Sequence, residues 1–305
     1  MIKQMEAAGL PPLNEMSPEQ AREAAAGFVQ LGGPPEPVAS IVNRTIPGPL
    51  GAIPVRIYTP SGSGEFPVVV YFHGGGWVLG TLETVEVLCT RLANRSGAVV
   101  VSVDYRLAPE HKFPAPVTDC YAATQWVSDH ARELNADPQR IAVAGDSAGG
   151  NLAAVIAAMA RDAGTPPLVF QVLLCPVTNH DFETPSYRDN GRDYFLTTDM
   201  MKWFWDLYLH EATDGRDWRA SPLGLADLSG LPPAYVVTAE YDPLRDEGEA
   251  YAERLRAAGV PVTLKRYDGQ IHDFVTMAAA MDQAGPAIED AAAVLRDAFA
   301  AKVPA

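Results

Sequence analysis

Ser147 lies in Gly145-Asp146-Ser147-Ala148-Gly149, between an apolar run at 141–144 and an Ala-rich run at 151–161. A hydroxyl held on a sharp strand-to-helix turn projects outward and can act as a nucleophile, and small flanking residues let the chain make that turn. By itself the pentapeptide also suits an ordinary Gly-rich turn. Three further places supply what a nucleophilic serine needs. His73-Gly74-Gly75-Gly76-Trp77 follows directly on an apolar run, and consecutive glycines there expose backbone N–H donors for the negative oxygen of a tetrahedral intermediate. Asp242 follows the run 234–238 and precedes Pro243. A carboxylate at such a position can hold a histidine ring in its working tautomer. Its rivals are Glu240, nearer the strand body, and Asp246, which suits the first turn of the next helix. His272 comes shortly after the run 262–264, whereas His73 belongs to the glycine turn and His111, His130, His180 and His210 have no matching strand-end position. No pair of histidines has metal-ligand spacing, so no metal site is expected.

The segments around these residues set a rhythm that would place them together. Apolar runs at 68–72, 98–103, 141–144, 168–174, 234–238 and 262–264 read as strands. Helical patterns at 84–96, 117–131, 151–161, 245–258 and 284–299 alternate with them. Continuous apolar strands alternating with helices predict a mainly parallel sheet covered on both faces. Ser17-Pro18-Glu19-Gln20 predicts a helix start, with Ala24, Phe28 and Leu31 near helical spacing behind it. Residues 55–58 alternate as a half-exposed strand does. Residues 178–230 interrupt the rhythm and hold one aromatic helix at 200–209, an insertion well placed to form a lid. Trp77, Trp203, Phe204 and Tyr208 are candidates for the wall of a substrate pocket, or else for docking the lid on the core.

Composition narrows the field. The 305 residues are 48% hydrophobic, enough for one large core with a smaller appendage. A formal net charge of -15 without a basic stripe excludes a nucleic-acid footprint. No apolar run is long enough to span a membrane, and Met1-Ile2-Lys3-Gln4-Met5-Glu6 lacks the apolar region of a secretion signal. Cys89, Cys120 and Cys175 sit widely spaced in apolar patterns, which reads as reduced core thiols in a reducing, cytoplasmic setting.

The chain order is glycine turn, Ser147, Asp242, His272. Ser…Asp…His is the order of α/β-hydrolases rather than of trypsin-like or subtilisin-like proteases. From about residue 50 to 300 the sequence resembles the bacterial hormone-sensitive-lipase-like carboxylesterases. The resemblance is carried by the glycine turn, by Asp104-Tyr105-Arg106-Leu107-Ala108-Pro109-Glu110, by the serine pentapeptide continued to Asn151, and by Asp242-Pro243-Leu244-Arg245-Asp246-Glu247. It implies an α/β-hydrolase fold with three parts: an N-terminal cap segment (1–45), a catalytic domain (46–177 and 231–305) and a cap insertion (178–230). It also implies short- to medium-chain acyl esters as small-molecule substrates, no cofactor, and a homodimer. The expected roles are nucleophile for Ser147, base for His272 and orienting acid for Asp242. N–H groups of Gly75, Gly76 and Ala148 would form the oxyanion hole, with Gly74 shaping its turn. Asp273 stands where this family often has glycine. An amide or formamide hydrolase on the same machinery is the near alternative, and a non-catalytic ligand receptor on this fold the distant one.

Overall fold

The computed structural model describes residues 11–301, so the first ten residues of the expected cap segment, Met1–Glu6 among them, lie outside the described residues. Eight strands form one sheet: β1 (Ser40–Gly48), β2 (Gly51–Thr59), β3 (Phe66–Phe72), β4 (Val99–Val103), β5 (Ala136–Asp146), β6 (Leu168–Leu174), β7 (Ala234–Tyr241) and β8 (Val262–Ile271). Their order across the sheet is β1-β2-β4-β3-β5-β6-β7-β8. The β1–β2 and β2–β4 pairings are antiparallel and the remaining five are parallel.

Alternation along the central strands divides their side chains between two apolar layers. Val68, Val70 and Phe72 of β3 enter one layer with Val143 of β5, whereas Val69 and Tyr71 enter the other with Ala142 and Ala144. Helices α4 (Ala115–Asp129), α5 (Ala148–Ala163) and α8 (Arg245–Ala257) cover the first face through Cys120, Leu152 and Tyr251. Helices α3 (Glu86–Ser96) and α9 (Ala284–Ala300) cover the second through Leu88, Leu92 and Leu295. A strand buried on both faces must be apolar throughout, which is why β3 to β6 read so plainly in the sequence. β1 is an exposed edge strand, and β8 continues seven residues past Leu264.

Above the sheet sit α1 (Pro18–Ala26), α2 (Val29–Gly32), α6 (Pro185–Asn190) and α7 (Thr198–Tyr208). The Ser17 hydroxyl accepts from the Gln20 N–H while the Gln20 side chain accepts from the Ser17 N–H, a reciprocal cap that starts α1. The expected single helix through Leu31 is divided at Gly27 and Phe28. On α7, Met201, Phe204, Trp205 and Tyr208 recur at helical spacing and join the first core layer. Strand β1 begins at Ser40, so the last residues of the 1–45 segment belong to the sheet.

Candidate active site

All the residues singled out for chemistry lie at the C-terminal ends of strands, the edge where parallel sheets gather functional loops. Ser147 follows β5 directly and has φ 54° and ψ −118°, a positive-φ backbone unusual for a serine. The sheet over-determines this turn. The Ser147 N–H donates to Leu174 O at 2.8 Å, and its carbonyl accepts from Val177 N–H and Asn151 N–H. At Gly149 a Cβ would lie 1.9 Å from the Phe72 carbonyl oxygen, so only glycine lets α5 start this close to β3.

His272 follows β8 and Asp242 follows β7. His272 Nε2 lies 2.9 Å from Ser147 Oγ, and Nδ1 lies 2.7 Å from Asp242 Oδ2. All three side chains are nearly excluded from solvent. The second oxygen of Asp242 accepts from Leu244 N–H at 2.8 Å, which fixes the carboxylate's orientation. The ring proton therefore sits on Nδ1, facing Asp242, and leaves Nε2 free to accept from the serine hydroxyl. Burial alone would pull the imidazole down. The charge and hydrogen bond of Asp242, with a contribution from Asp273, outweigh it, and His272 titrates above its ordinary value. The rival carboxylates are engaged elsewhere. Glu240 accepts from Gly269 N–H, and Asp246 binds Arg245 and Ser186 N–H.

The glycine turn faces the serine from β3. The Gly74 N–H donates to Asp146 Oδ2 at 2.9 Å, so it is spent on shaping the turn. Gly75, Gly76 and Ala148 present N–H groups that donate to no protein acceptor among the described residues. His73 is buried, stacks on Tyr105 with centroids 4.3 Å apart, and places Nδ1 2.7 Å from Gly74 O. Burial pushes it down to about 4, so it stays neutral and structural. The Tyr105 hydroxyl donates to His73 O at 2.7 Å, and Arg106 makes a two-pronged pair with Asp119. The stretch 104–110 thus braces the turn from below.

A cavity of about 110 Å³ opens over Ser147. Beyond the glycine turn and the His272 loop, its walls come from Phe28 and Leu31 of the N-terminal segment and from Phe195, Met200, Met201 and Phe204 of the insertion. Phe28 and Phe195 meet edge to face at 5.5 Å, joining the N-terminal segment to the insertion. Of the four aromatics singled out from sequence, Phe204 lines this cavity. Trp77 and Tyr208 instead stack on each other at 4.1 Å behind it, and Trp203 packs on the outer side of Phe204 at 5.2 Å. Phe28, Leu31, Phe195 and the methionines were not legible as pocket residues. Their only signal was apolar spacing, which core and cavity share.

A family model described as "alpha/beta hydrolase fold" matches residues 69–276. Carboxylesterase NlhH of Mycobacterium tuberculosis is 46% identical over 296 residues, 94% of this chain and 92% of that one. Among solved structures, an ester hydrolase from the metagenome of Lake Arreo, complexed with a derivative of bipyridine phosphonate, is 44% identical with a TM-score of 0.95, covering 98% of this chain and 97% of that one. The hyperthermophilic esterase of the archaeon Pyrobaculum calidifontis is 47% identical with a TM-score of 0.89, covering 94% and 95%. Fold, site geometry and likeness over nearly the whole length agree: the chain belongs to the α/β-hydrolase family, among its hormone-sensitive-lipase-like carboxylesterases.

Proposed function

We propose that this carboxylesterase works through Ser147 as nucleophile, His272 as general base and Asp242 as orienting acid. The observation that carries the reading is the unbroken contact from Ser147 Oγ through the His272 ring to Asp242. Ser147 Oγ attacks the ester carbonyl while Nε2 takes its proton. The carbonyl oxygen, now negative, receives N–H donors from Gly75, Gly76 and Ala148. His272 then gives its proton to the departing alcohol, leaving an acyl-serine. Water enters, loses a proton to Nε2 and releases the acid. Such preorganised donors are typically worth ~3 kcal/mol each in the barrier.

The cavity supports short acyl chains. Pockets for drug-sized ligands run to about 300–1,000 Å³, well above the 110 Å³ found here. Its walls come from both flanking segments, which supports reading 1–45 and 178–230 as one cap over the catalytic domain. Among the described residues no helix is long and apolar enough to cross a membrane. The three free, buried cysteines support a reducing, cytoplasmic setting, and the open sheet edge at β8 would suit a homodimer. The test is a panel of p-nitrophenyl esters of increasing chain length with one matched anilide. Turnover should peak at short chains, with the anilide far slower. Comparable anilide turnover would move the assignment to amide hydrolysis.

A further inference from the structure

Asp146, the residue before the nucleophile, and Asp273, the residue after the base, line the same cavity beside Ser147 and His272, and their carboxyl groups interact with each other there. Every other donor near Asp146 is accounted for. The Tyr71 hydroxyl donates to Oδ1 at 2.7 Å and the Gly74 N–H donates to Oδ2 at 2.9 Å. Asp273 Oδ1 is buried and has no donor at all. Two ionised carboxylates cannot lie together in such a place without a cation, and among the described residues no cationic side chain bonds to either. The ionisable groups facing the pair are Tyr71 from β3, Cys89 from α3, Tyr105 after β4, Cys175 after β6, Asp242 after β7 and His272 itself.

We propose that Asp146 and Asp273 share one proton, and that this bond ties the loop carrying His272 to the glycine turn carrying the oxyanion donors. Asp273 is then a positioning residue, and its strained backbone (φ 61°) is held by the contact it makes. The connection is short and continuous: Asp273 to Asp146, Asp146 Oδ2 to the Gly74 N–H, and Gly74 to the donors of Gly75 and Gly76. Burial pushes both carboxyls above their ordinary range; the charge of Asp273 further opposes ionisation of Asp146, whereas the hydrogen bond with Asp146 favours the ionised form of Asp273, so the proton belongs mainly to Asp146. At neutral pH the pair carries one negative charge and one proton. As pH rises the proton leaves, the two carboxylates repel, and the base loop parts from the oxyanion turn. The pair therefore adds an alkaline limb to the pH profile, distinct from the acid limb that belongs to His272.

The inference rests on the triad reading, and its test separates the two. kcat/KM for a short-chain p-nitrophenyl ester is measured across pH for the wild type, Asp273→Asn and Asp273→Ala. The asparagine amide donates to Asp146 at every pH, so Asp273→Asn should lose the alkaline limb. The wild type should fall about tenfold per pH unit beyond it. Asp273→Ala supplies no donor and should be impaired at all pH values, with asparagine rescuing. Infrared difference spectra of the wild type should show a protonated-carboxyl C=O band at neutral pH that Asp273→Asn abolishes. Coincident profiles for wild type and Asp273→Asn, or no such band in the wild type, would overturn the shared proton. An active Ser147→Ala variant would overturn the triad instead, and the infrared band, which needs no turnover, would still decide the pair.

Discussion

In the proposed mechanism Asp242 acts through orientation. With Nδ1–H donated to its carboxylate, His272 can only accept at Nε2. Asp242→Asn would favour the opposite tautomer, and kcat should drop about 10⁴-fold with little change in melting temperature. The same pairing sets the acid limb of activity. Only the neutral ring accepts a proton, and its titration point lies above the ordinary histidine value. Between that point and the alkaline limb activity is thus full, and it is lost as pH falls through the His272 titration. A kcat/KM profile should place the acid limb on the high side of a free histidine. A limb below the free-histidine value would contradict the balance between burial and Asp242. These three residues were legible in the sequence because each follows an apolar run, His272 at some distance, and their order along the chain is diagnostic. Asp146 and Asp273 were not legible as a pair, since only the fold brings residues so far apart in sequence into contact.

Glycines and one arginine decide how the site's elements approach each other. At Gly76 (φ +60°) a Cβ would lie 2.2 Å from Phe204 Cγ of α7, so alanine there must push the cap ring aside. Gly76→Ala should cost more in kcat/KM than in stability, because a ring can give where backbone cannot. Gly149→Ala is the reverse case, for its obstacle is the Phe72 carbonyl. It should reach or exceed the ~3 kcal/mol upper end of ordinary overpacking, read as a large fall in melting temperature. Arg22 of α1 fastens the cap to the braced turn. Its Nε donates to Val78 O at 2.9 Å, one Nη to Ala108 O at 2.8 Å, and both Nη groups reach Glu110. The Glu110 partner is half exposed, so that pair is worth at most ~1 kcal/mol. The part-buried bonds from a charged donor to carbonyls outweigh it, at ~2 kcal/mol. Arg22→Ala should therefore destabilise by about that much and raise KM, while Glu110→Gln changes little. Denaturant melts of the two variants check the ranking. Helix α1 was foreshadowed by its Ser17–Gln20 cap. The role of Arg22 was invisible, because a lone arginine in a surface helix usually faces water.

At the scale of the whole molecule, a two-sided sheet supplies rigidity, and on the proposed reading the N-terminal segment and the insertion act as one cap that supplies selectivity. The parallel core from β3 to β7 could be read from apolar runs, since burial on both faces demands them, whereas of the half-exposed edge strand β8 only the start at 262–264 could be read. The edge strand β1 could not, because its side chains are mostly exposed and its pattern is that of a loop. The cap was the least legible part. Its segments 11–32 and 178–230 meet through Phe28 and Phe195, a contact between distant residues. Because both rings wall the cavity, Phe28→Ala and Phe195→Ala should each shift the chain-length optimum toward longer acyl groups. An unchanged optimum with a lowered melting temperature would reduce the pair to cap docking.

The proposed chemistry begins at Ser147. Turnover of a short-chain p-nitrophenyl ester by Ser147→Ala, with the fold verified by circular dichroism, is the direct measurement. The contact of Ser147 with His272 predicts a loss of at least about 10⁴-fold in kcat for a variant that melts like the wild type. A folded Ser147→Ala protein that hydrolyses the ester at near-normal rate would contradict it.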